Sequence, residues 1–218
     1  MMITKAMILA SGRGERMMPL TQDIPKPMLR IGDITLIEDK ILRLSESGIK
    51  EIIVNVGYLG NQIIDHIGDG SKFGISITVS NEGDNPIGTG NGIRKIIEFF
   101  DKQPFIVVNA DIWTNYLFID LKKQLSDEAL GHIILVKNPP QHDGDFSLNG
   151  EKIIPGKDYT FSGIGIYKPK LFELHNHKEL GEILKIENNI TGELYQGLWE
   201  DVGTPERLDQ VRKSLSNN

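Results

Sequence analysis

AMILASGRGERMMPLT, at residues 6–21, is the stretch that decides the fold. Its first five residues form a short apolar run bounded by small residues, which predicts a buried strand. Gly12 and Gly14 follow directly and bring main-chain N–H groups within reach of an anion. Arg13 and Arg16 can add charge-assisted hydrogen bonds to phosphate. The stretch therefore predicts a strand that leads into an anion-binding loop.

The glycine-rich loop departs from two familiar nucleotide-binding templates. The Rossmann fingerprint requires a third glycine where Met17 stands, and a P-loop ends in Gly-Lys-Ser/Thr, which this loop lacks. A glycine-rich turn with solvated arginines is an alternative explanation of Gly-x-Gly on its own. Pro25 and Pro27 restrict the backbone on both sides of Lys26, so its ammonium is presented from a stiff segment. A preorganised lysine beside the loop favours a nucleotide phosphate as its ligand.

Apolar, β-branched runs alternate with amphipathic runs up to Lys137. This alternation predicts an α/β fold with a Rossmann-like mixed, mostly parallel sheet and helices on both faces. Strands are predicted at 6–10, 52–56, 75–79, 105–108, 133–136, 160–167 and 198–202, with a hairpin of 146–148 and 152–154 around Asn149-Gly150. Helices are predicted at 37–47, 61–67, 93–100, 117–125, 171–173 and 179–187, with a last one opened by Thr204-Pro205-Glu206.

Composition narrows the functional classes. The chain has 218 residues, of which 39% are hydrophobic and 25% charged, an ordinary globular mixture. Cysteine is absent, which excludes disulfides, thiolate zinc sites, iron–sulfur clusters and a cysteine nucleophile. A formal net charge of −6 argues against nucleic-acid and anionic-membrane partners, because both attract basic surfaces. No apolar run approaches the ~18 residues of a spanning helix, so we expect a cytoplasmic location.

Several ordered motifs carry a resemblance to a known family. The motifs are the loop at 9–21, PKPML at 25–29, NAD at 109–111, TFSGI at 160–164 and WEDVGT at 199–204. In this order they resemble the sugar-1-phosphate nucleotidyltransferases. The resemblance implies a glycosyltransferase-A-like single domain over 1–218, without a left-handed β-helix. It also implies a nucleotide-binding half at 1–137 and a sugar-phosphate-binding half at 138–218.

The resemblance assigns roles to individual residues. Asp111 follows an apolar strand and Asp201 ends an extended segment, and both match the family's Mg²⁺ ligands, although a strand-end cap is the alternative for either alone. The implied catalytic residues are Arg16, Lys26 and Asp111. The implied nucleotide-binding residues are Leu9, Ala10, Ser11, Gly12, Arg13, Gly14, Glu15, Arg16, Lys26, Glu82 and Gly90. The implied sugar-phosphate-binding residues are Asn109, Asp145, Ser162 and Gly163, with a turn-forming role as the alternative for Asp145.

The resemblance implies nucleotidyl transfer from a nucleoside triphosphate to a sugar 1-phosphate by a monomer or small homo-oligomer. UTP with N-acetylmuramate 1-phosphate, in cell-wall recycling, is the favoured pair, and GTP with mannose 1-phosphate is the alternative. A glycosyltransferase is disfavoured because Asn109 replaces the first residue of an Asp-x-Asp motif. A non-catalytic nucleotide-sugar binder is the alternative from another class. The chain lacks the family's Glu-Lys-Pro turn, whose lysine reaches the sugar phosphate, and Lys152 and Lys157 are only nearby candidates.

Overall fold

Strands and helices alternate in the first part of the chain, and antiparallel strands join them in the second. The computed structural model describes residues 3–85 and 87–216. Within them the strands are β1 (Lys5–Ala10), β2 (Glu51–Val56), β3 (Ser76–Asn81), β4 (Phe105–Asn109), β5 (Ile112–Thr114), β6 (Gly131–Lys137), β7 (Phe146–Asn149), β8 (Lys152–Pro155), β9 (Tyr159–Tyr167), β10 (Ile190–Leu194) and β11 (Trp199–Asp201). The α-helices there are α1 (Leu36–Glu46), α2 (Gly60–Ile67), α3 (Thr89–Lys95), α4 (Phe118–Leu121), α5 (Lys170–Leu174), α6 (Leu180–Ile186) and α7 (Pro205–Ser216).

The main sheet is mixed, and it carries strands from both halves of the chain. Its strand order in the described residues is β3-β2-β1-β4-β9-β6-β10-β8-β7. The first four strands in this order pair in parallel, as the alternating pattern predicts. β9 is antiparallel to both β4 and β6, whereas β6 and β10 are parallel. The hairpin of β7 and β8 confirms the prediction around Asn149-Gly150, and β5 pairs with β11 in a separate two-stranded ribbon.

Helices cover both faces of the sheet, and β1 shows how its alternating side chains fit them. Ala6 and Ile8 pack on the face that also buries Ile41 of α1. Met7 points to the other face, among side chains that include Ile93 of α3 and Ile183 of α6. Successive strand residues face opposite sides, so a strand buried on both faces is apolar throughout. The predicted fold class is confirmed.

The first helix illustrates why these boundaries occur where they do. Thr35 caps α1 by accepting a hydrogen bond from the Glu38 main-chain N–H at 3.3 Å. The Glu38 carboxylate accepts the Thr35 main-chain N–H at 2.9 Å, which completes a capping box. Pro205 occupies the first position of α7, where its missing N–H costs no helical hydrogen bond.

Two predicted helices differ from the structure, and one strand of the main sheet was not predicted. The helix predicted at 93–100 begins earlier and ends at Lys95, and a 3-10 turn follows it at Ile97–Phe100. The helix predicted at 117–125 shrinks to α4. Strand β10 was not predicted, because its sequence ITGEL has a glycine at the centre and no long apolar run. Pairing with β6 on one side and β8 on the other stabilises it, and that tertiary pairing overrides its weak local preference.

None of the helices in the ranges 3–85 and 87–216 is long and apolar enough to cross a bilayer.

A buried histidine predicts acid sensitivity of the fold. His132 in β6 is 4% exposed, its Nδ1 lies 2.8 Å from the Thr191 hydroxyl, and burial lowers its pKa from 6.5 to about 4. Between these two pH values, the His132 side chain therefore binds a proton more readily in the unfolded chain than in the folded protein. The stabilisation is complete above pH 6.5 and decreases as the pH falls toward 4, with a loss on the order of 2 kcal/mol.

His132→Gln removes this titration. In urea unfolding between about pH 7.5 and about pH 4.5, the variant is expected to lose less of its free energy of unfolding than wild type, by a difference on the order of 2 kcal/mol. The comparison within each protein cancels any constant cost of the substitution. Equal losses over this pH range would show that another group controls acid unfolding.

Candidate active site

A cleft of about 590 Å³ opens at the carboxyl ends of β1 and β4. Open α/β sheets bind ligands at this edge. Leu9 of β1 stands beside Asn109 of β4. The glycine-rich loop and the Asn109-Ala110-Asp111 segment therefore leave the sheet side by side. The cleft is lined by Leu9, Ala10, Ser11, Gly12, Arg13, Gly14, Glu15, Arg16, Met17, Lys26, Pro27, Asn55, Gly88, Thr89, Asn109, Ala110, Asp111, Lys178, Glu179 and Gly203. The structure thus brings most of the predicted nucleotide-binding residues together on one wall.

The glycine-rich loop is held in shape by contacts at several points. Thr21 donates its hydroxyl to the Gly14 carbonyl at 2.9 Å. Met17, which stands where a Rossmann loop has glycine, is fully buried and anchors the loop to the core. The Arg13 guanidinium lies 5.3 Å from the centre of the Tyr58 ring, a cation–π distance. These contacts leave the main chain of 12–15 along the cleft wall.

Lys26 is the cation at the centre of the site. It begins a 3-10 turn directly after Pro25, whose φ of −66° is the value that the proline ring imposes. Its side chain is 9% exposed, and its Nζ donates to Asp111 Oδ2 at 2.6 Å. Asp201 Oδ1 lies 3.9 Å from the same Nζ. Two carboxylates that are 90 positions apart in sequence therefore face one ammonium group.

The β5–β11 ribbon explains how the two carboxylates meet. Asp201 pairs with Ile112, the residue after Asp111. The Val202 main-chain N–H donates to the Asp111 carbonyl at 2.9 Å, which closes the end of the ribbon. Glu200 precedes Asp201, and burial raises the pKa of its carboxyl. The ribbon places a concentrated negative charge at the edge of the cleft.

This donor set fits a hard divalent cation. In the part of the chain that the structure describes, no group of three or more His, Cys, Asp or Glu side chains could hold a metal by itself. Mg²⁺ is commonly bound through one or two carboxylates, and substrate phosphates and water complete its coordination. Asp111 and Asp201 supply two carboxylates beside a phosphate-type loop, so the residues match that mode of binding.

The predicted sugar-side residues divide into two groups. Asn109 lines the cleft, and Gly163 lies directly against it. Gly163 has a φ of +79°, and a Cβ there would lie 2.7 Å from Asn109 Nδ2, so only glycine fits beside the amide. Ser162 is buried, and its carbonyl accepts the Trp199 indole N–H at 2.9 Å. Gly163 thus lies against the Asn109 amide, whereas Ser162 bonds the Trp199 side chain.

Asp145 does not border the cleft as the structure describes it. Its Oδ2 accepts the Phe161 main-chain N–H at 2.9 Å, which is the turn-forming role held open from the sequence. Lys152 and Lys157 also lie away from the described cleft walls. The Lys157 carbonyl accepts the Asn138 side-chain N–H at 2.7 Å. The assignment of a lysine to the sugar phosphate stays a prediction.

The second glycine-rich stretch, residues 82–92, contributes Gly88 and Thr89 to the cleft rather than Gly90. Gly90 is buried behind this wall, where its N–H donates to the Lys178 carbonyl at 2.8 Å. Glu82 is not among the residues that line the described cleft. Its carboxylate accepts a 2.8 Å hydrogen bond from the side chain of Asn55, which does line it. Pro86 lies outside the described residues.

Several cleft residues were not predicted from the sequence. Asn55 accepts the Ala10 N–H at 2.8 Å, Glu179 accepts the Thr89 N–H at 3.1 Å, and Lys178 adds a cation to the wall beside Gly88. Lys178 and Glu179 precede α6 in a polar segment that has no motif of its own. Only the packing of α3 against α6 brings them to the cleft.

Comparison with known proteins finds relatives over most of the chain. The profile of the family described as "Nucleotidyl transferase" matches residues 5–145. The chain is 40% identical to N-acetylmuramate alpha-1-phosphate uridylyltransferase of Neisseria meningitidis serogroup B, over 95% of this chain and 96% of that protein. It is 28% identical to probable mannose-1-phosphate guanylyltransferase 1 of Oryza sativa subsp. japonica, over 96% of this chain but 66% of that protein.

Solved structures show the same fold. HddC from Yersinia pseudotuberculosis superimposes with a TM-score of 0.82 at 22% identity, over 98% of this chain and all of that one. A UDP-glucose pyrophosphorylase complexed with UDP-glucose gives a TM-score of 0.83 at 18% identity, over 99% of both chains. The mixed sheet and its flanking helices are therefore those of a known fold.

Proposed function

The chain belongs to the nucleotidyl transferase family, and we propose that it transfers a uridylyl group from UTP to N-acetylmuramate 1-phosphate with the help of Mg²⁺. The observation that carries the reaction type is the convergence of Asp111 and Asp201 on Lys26, beside the glycine-rich loop. The substrate pair rests on the relative that shares 40% identity over nearly the whole of both chains. A cytoplasmic role in cell-wall recycling is part of the same proposal.

The proposed reaction forms one phosphorus–oxygen bond and breaks another. A phosphate oxygen of the sugar 1-phosphate attacks the α-phosphorus of UTP, the bond from the α-phosphorus to the bridging oxygen breaks, and pyrophosphate leaves. Phosphoryl-type transfer leaves little covalent work to the protein, so positioning and electrostatics supply the catalysis. The site residues act in those two ways.

The phosphate end of UTP is assigned to the glycine-rich loop. The main chain of 12–15 and the Arg16 guanidinium hold the β- and γ-phosphates, and Lys26 contacts the α-phosphate. Arg16 reaches the site, since its Nη2 would lie 3.3 Å from a Cβ on Gly203. The chain is acidic overall, so this local cluster of cations supplies the attraction that two polyanionic substrates need.

The remaining walls are assigned to the base and the sugar. Leu9, Ala10 and Gly88 border the nucleoside side, with Glu82 acting through Asn55. Asn109, backed by Gly163, borders the sugar-phosphate side, and Ser162 is assigned to the same side as the neighbour of Gly163. Asp145 shapes the loop next to that side through its bond to Phe161.

Asp111 and Asp201 would hold the Mg²⁺. Bound there, the ion supplies positive charge to the reacting phosphate oxygens. Lys26 neutralises part of the same carboxylate pair from within the protein. Lys26 therefore holds the two carboxylates close together at the edge of the glycine-rich loop.

A matrix of nucleoside triphosphates against sugar 1-phosphates tests the proposed substrates by pyrophosphate release. UTP with N-acetylmuramate 1-phosphate is expected to give the highest kcat/KM. N-acetylglucosamine 1-phosphate lacks the lactyl carboxylate, so its kcat/KM should be at least about 10-fold lower, since a site built for a polar group rejects a substrate without it. Asp111→Asn provides the background rate.

Two outcomes of the matrix would contradict the proposal in different ways. Faster turnover of GTP with mannose 1-phosphate would transfer the assignment to the guanylyl reaction, in line with the 28% identical relative. Absence of pyrophosphate release with every pair, in a folded protein that binds UTP, would favour a non-catalytic binder.

A further inference from the structure

Arg207, in the first turn of α7, makes a two-point contact with Asp201. Its Nη1 donates to Asp201 Oδ2 at 2.9 Å and to the Asp201 main-chain carbonyl at 2.9 Å. The Arg207 side chain is 11% exposed. A guanidinium that donates hydrogen bonds to both the carboxylate and the main-chain carbonyl of one residue fixes the orientation of that carboxylate.

The contact leaves the other carboxylate oxygen on the side of Lys26, although Asp201 itself is not among the residues that line the described cleft. Arg207 engages Oδ2, whereas Oδ1 is the oxygen that lies 3.9 Å from the Lys26 ammonium. The carboxylate also rests against Gly203, where a Cβ would lie 3.1 Å from Oδ2 and 3.2 Å from Oδ1. A side chain at position 203 would therefore crowd the carboxylate, and glycine leaves room for the orientation that Arg207 fixes.

Arg207 is itself held by neighbours on two other segments. Its Nε lies 3.8 Å from the Glu200 carboxylate. With the Gln141 amide oriented so that its oxygen faces the guanidinium, Gln141 accepts from Arg207 Nη2 at 3.0 Å and from Nη1 at 3.2 Å. The guanidinium is thus fixed from three sides, which gives it a defined position from which to orient Asp201.

We propose that Arg207 is a positioning residue that orients the Asp201 carboxylate for binding a divalent cation. This inference rests on the proposed function, in which Asp201 holds Mg²⁺. Partners that hydrogen-bond a metal ligand set its orientation, and their loss typically weakens metal binding by about 10- to 100-fold. Arg207 acts through Asp201 and does not touch the reacting atoms.

The test measures metal binding separately from turnover. Mn²⁺ is titrated into protein that carries an α,β-methylene analogue of UTP, and bound Mn²⁺ is followed by water-proton relaxation. Arg207→Gln is expected to weaken Mn²⁺ binding by about 10-fold or more. Arg207→Lys should weaken it less, because lysine keeps the positive charge but lacks the planar guanidinium with its several N–H donors. In an Asp201→Asn background, Arg207→Gln should add little, since the two substitutions remove one interaction.

Arg212→Gln is the matched control, because Arg212 lies on the same helix but bonds Asp209 and the Arg30 carbonyl. Unchanged Mn²⁺ binding in Arg207→Gln, or equal further weakening in the Asp201→Asn background, would overturn the positioning role. If Arg207→Gln fails to fold, the Arg207→Lys titration decides the question in the same way. Failure of wild type to turn over any substrate pair would instead overturn the proposed function and leave the Mn²⁺ comparison standing.

Discussion

Asp111→Asn is expected to lower kcat on the order of 10³-fold or more while the protein stays folded. The reason is the loss of a negative ligand for the cation that neutralises the reacting phosphates. The amide keeps the size of the carboxylate, and the Asp111 carbonyl still accepts the Val202 N–H that closes the β5–β11 ribbon. Asp201→Asn should act in the same direction, since it removes the second carboxylate. Pyrophosphate release at saturating UTP and Mg²⁺ measures both effects.

Asp120→Asn serves as the control for these two variants. Asp120 lies on α4, where its exposed carboxylate pairs only at the surface with Lys123. Turnover of this variant should match wild type, because exposed ion pairs contribute little to stability. Full turnover of wild type in excess chelator, or of either site variant, would show that no metal is held by these carboxylates.

Local patterns predict the parallel part of the fold well. The apolar run of β1 and the capped helix α1 each carry a strong local signal, and both occur within a residue or two of the predicted positions. Strand β10 has no such signal, because its stability comes from pairing with β6 and β8. A pattern within one segment cannot show which neighbours that segment will find.

The site residues show the same difference between local sequence signals and tertiary packing. Lys26 and Asp111 stand in motifs that can be read from neighbouring residues, and the structure places them 2.6 Å apart. Lys178 has no local motif, and it reaches the cleft because the segment before α6 packs against α3. Arg207 stands six positions after Asp201 in the stretch DVGTPERL, but the spacing alone does not show that its guanidinium turns back to that carboxylate. Gly88 and Gly90 show the limit of spacing arguments, since either glycine satisfies the motif but only Gly88 borders the cleft that the structure describes.

Lys26→Met is expected to lower kcat on the order of 10²-fold or more, with a much smaller increase in KM for UTP. The proposed function assigns Lys26 to the α-phosphate, where negative charge grows in the transition state, so its loss should affect the barrier more than ground-state binding. Methionine retains an apolar stem of similar length at this buried position, where Pro25 and Pro27 restrict the backbone. Steady-state kinetics at saturating Mg²⁺ separate the two parameters.

A purely structural role for Lys26 makes the opposite prediction. Its 2.6 Å ion pair with Asp111 is mostly buried, and loss of the ammonium leaves that carboxylate without its partner. If the pair served only the fold, Lys26→Met would lower the free energy of unfolding and leave kcat unchanged. If it serves catalysis, adding Asp111→Asn to Lys26→Met should restore stability but not turnover, because the double variant removes the unpaired charge yet still lacks both groups that face the phosphate. Lys123→Met, on the exposed surface, controls for the general effect of replacing a lysine.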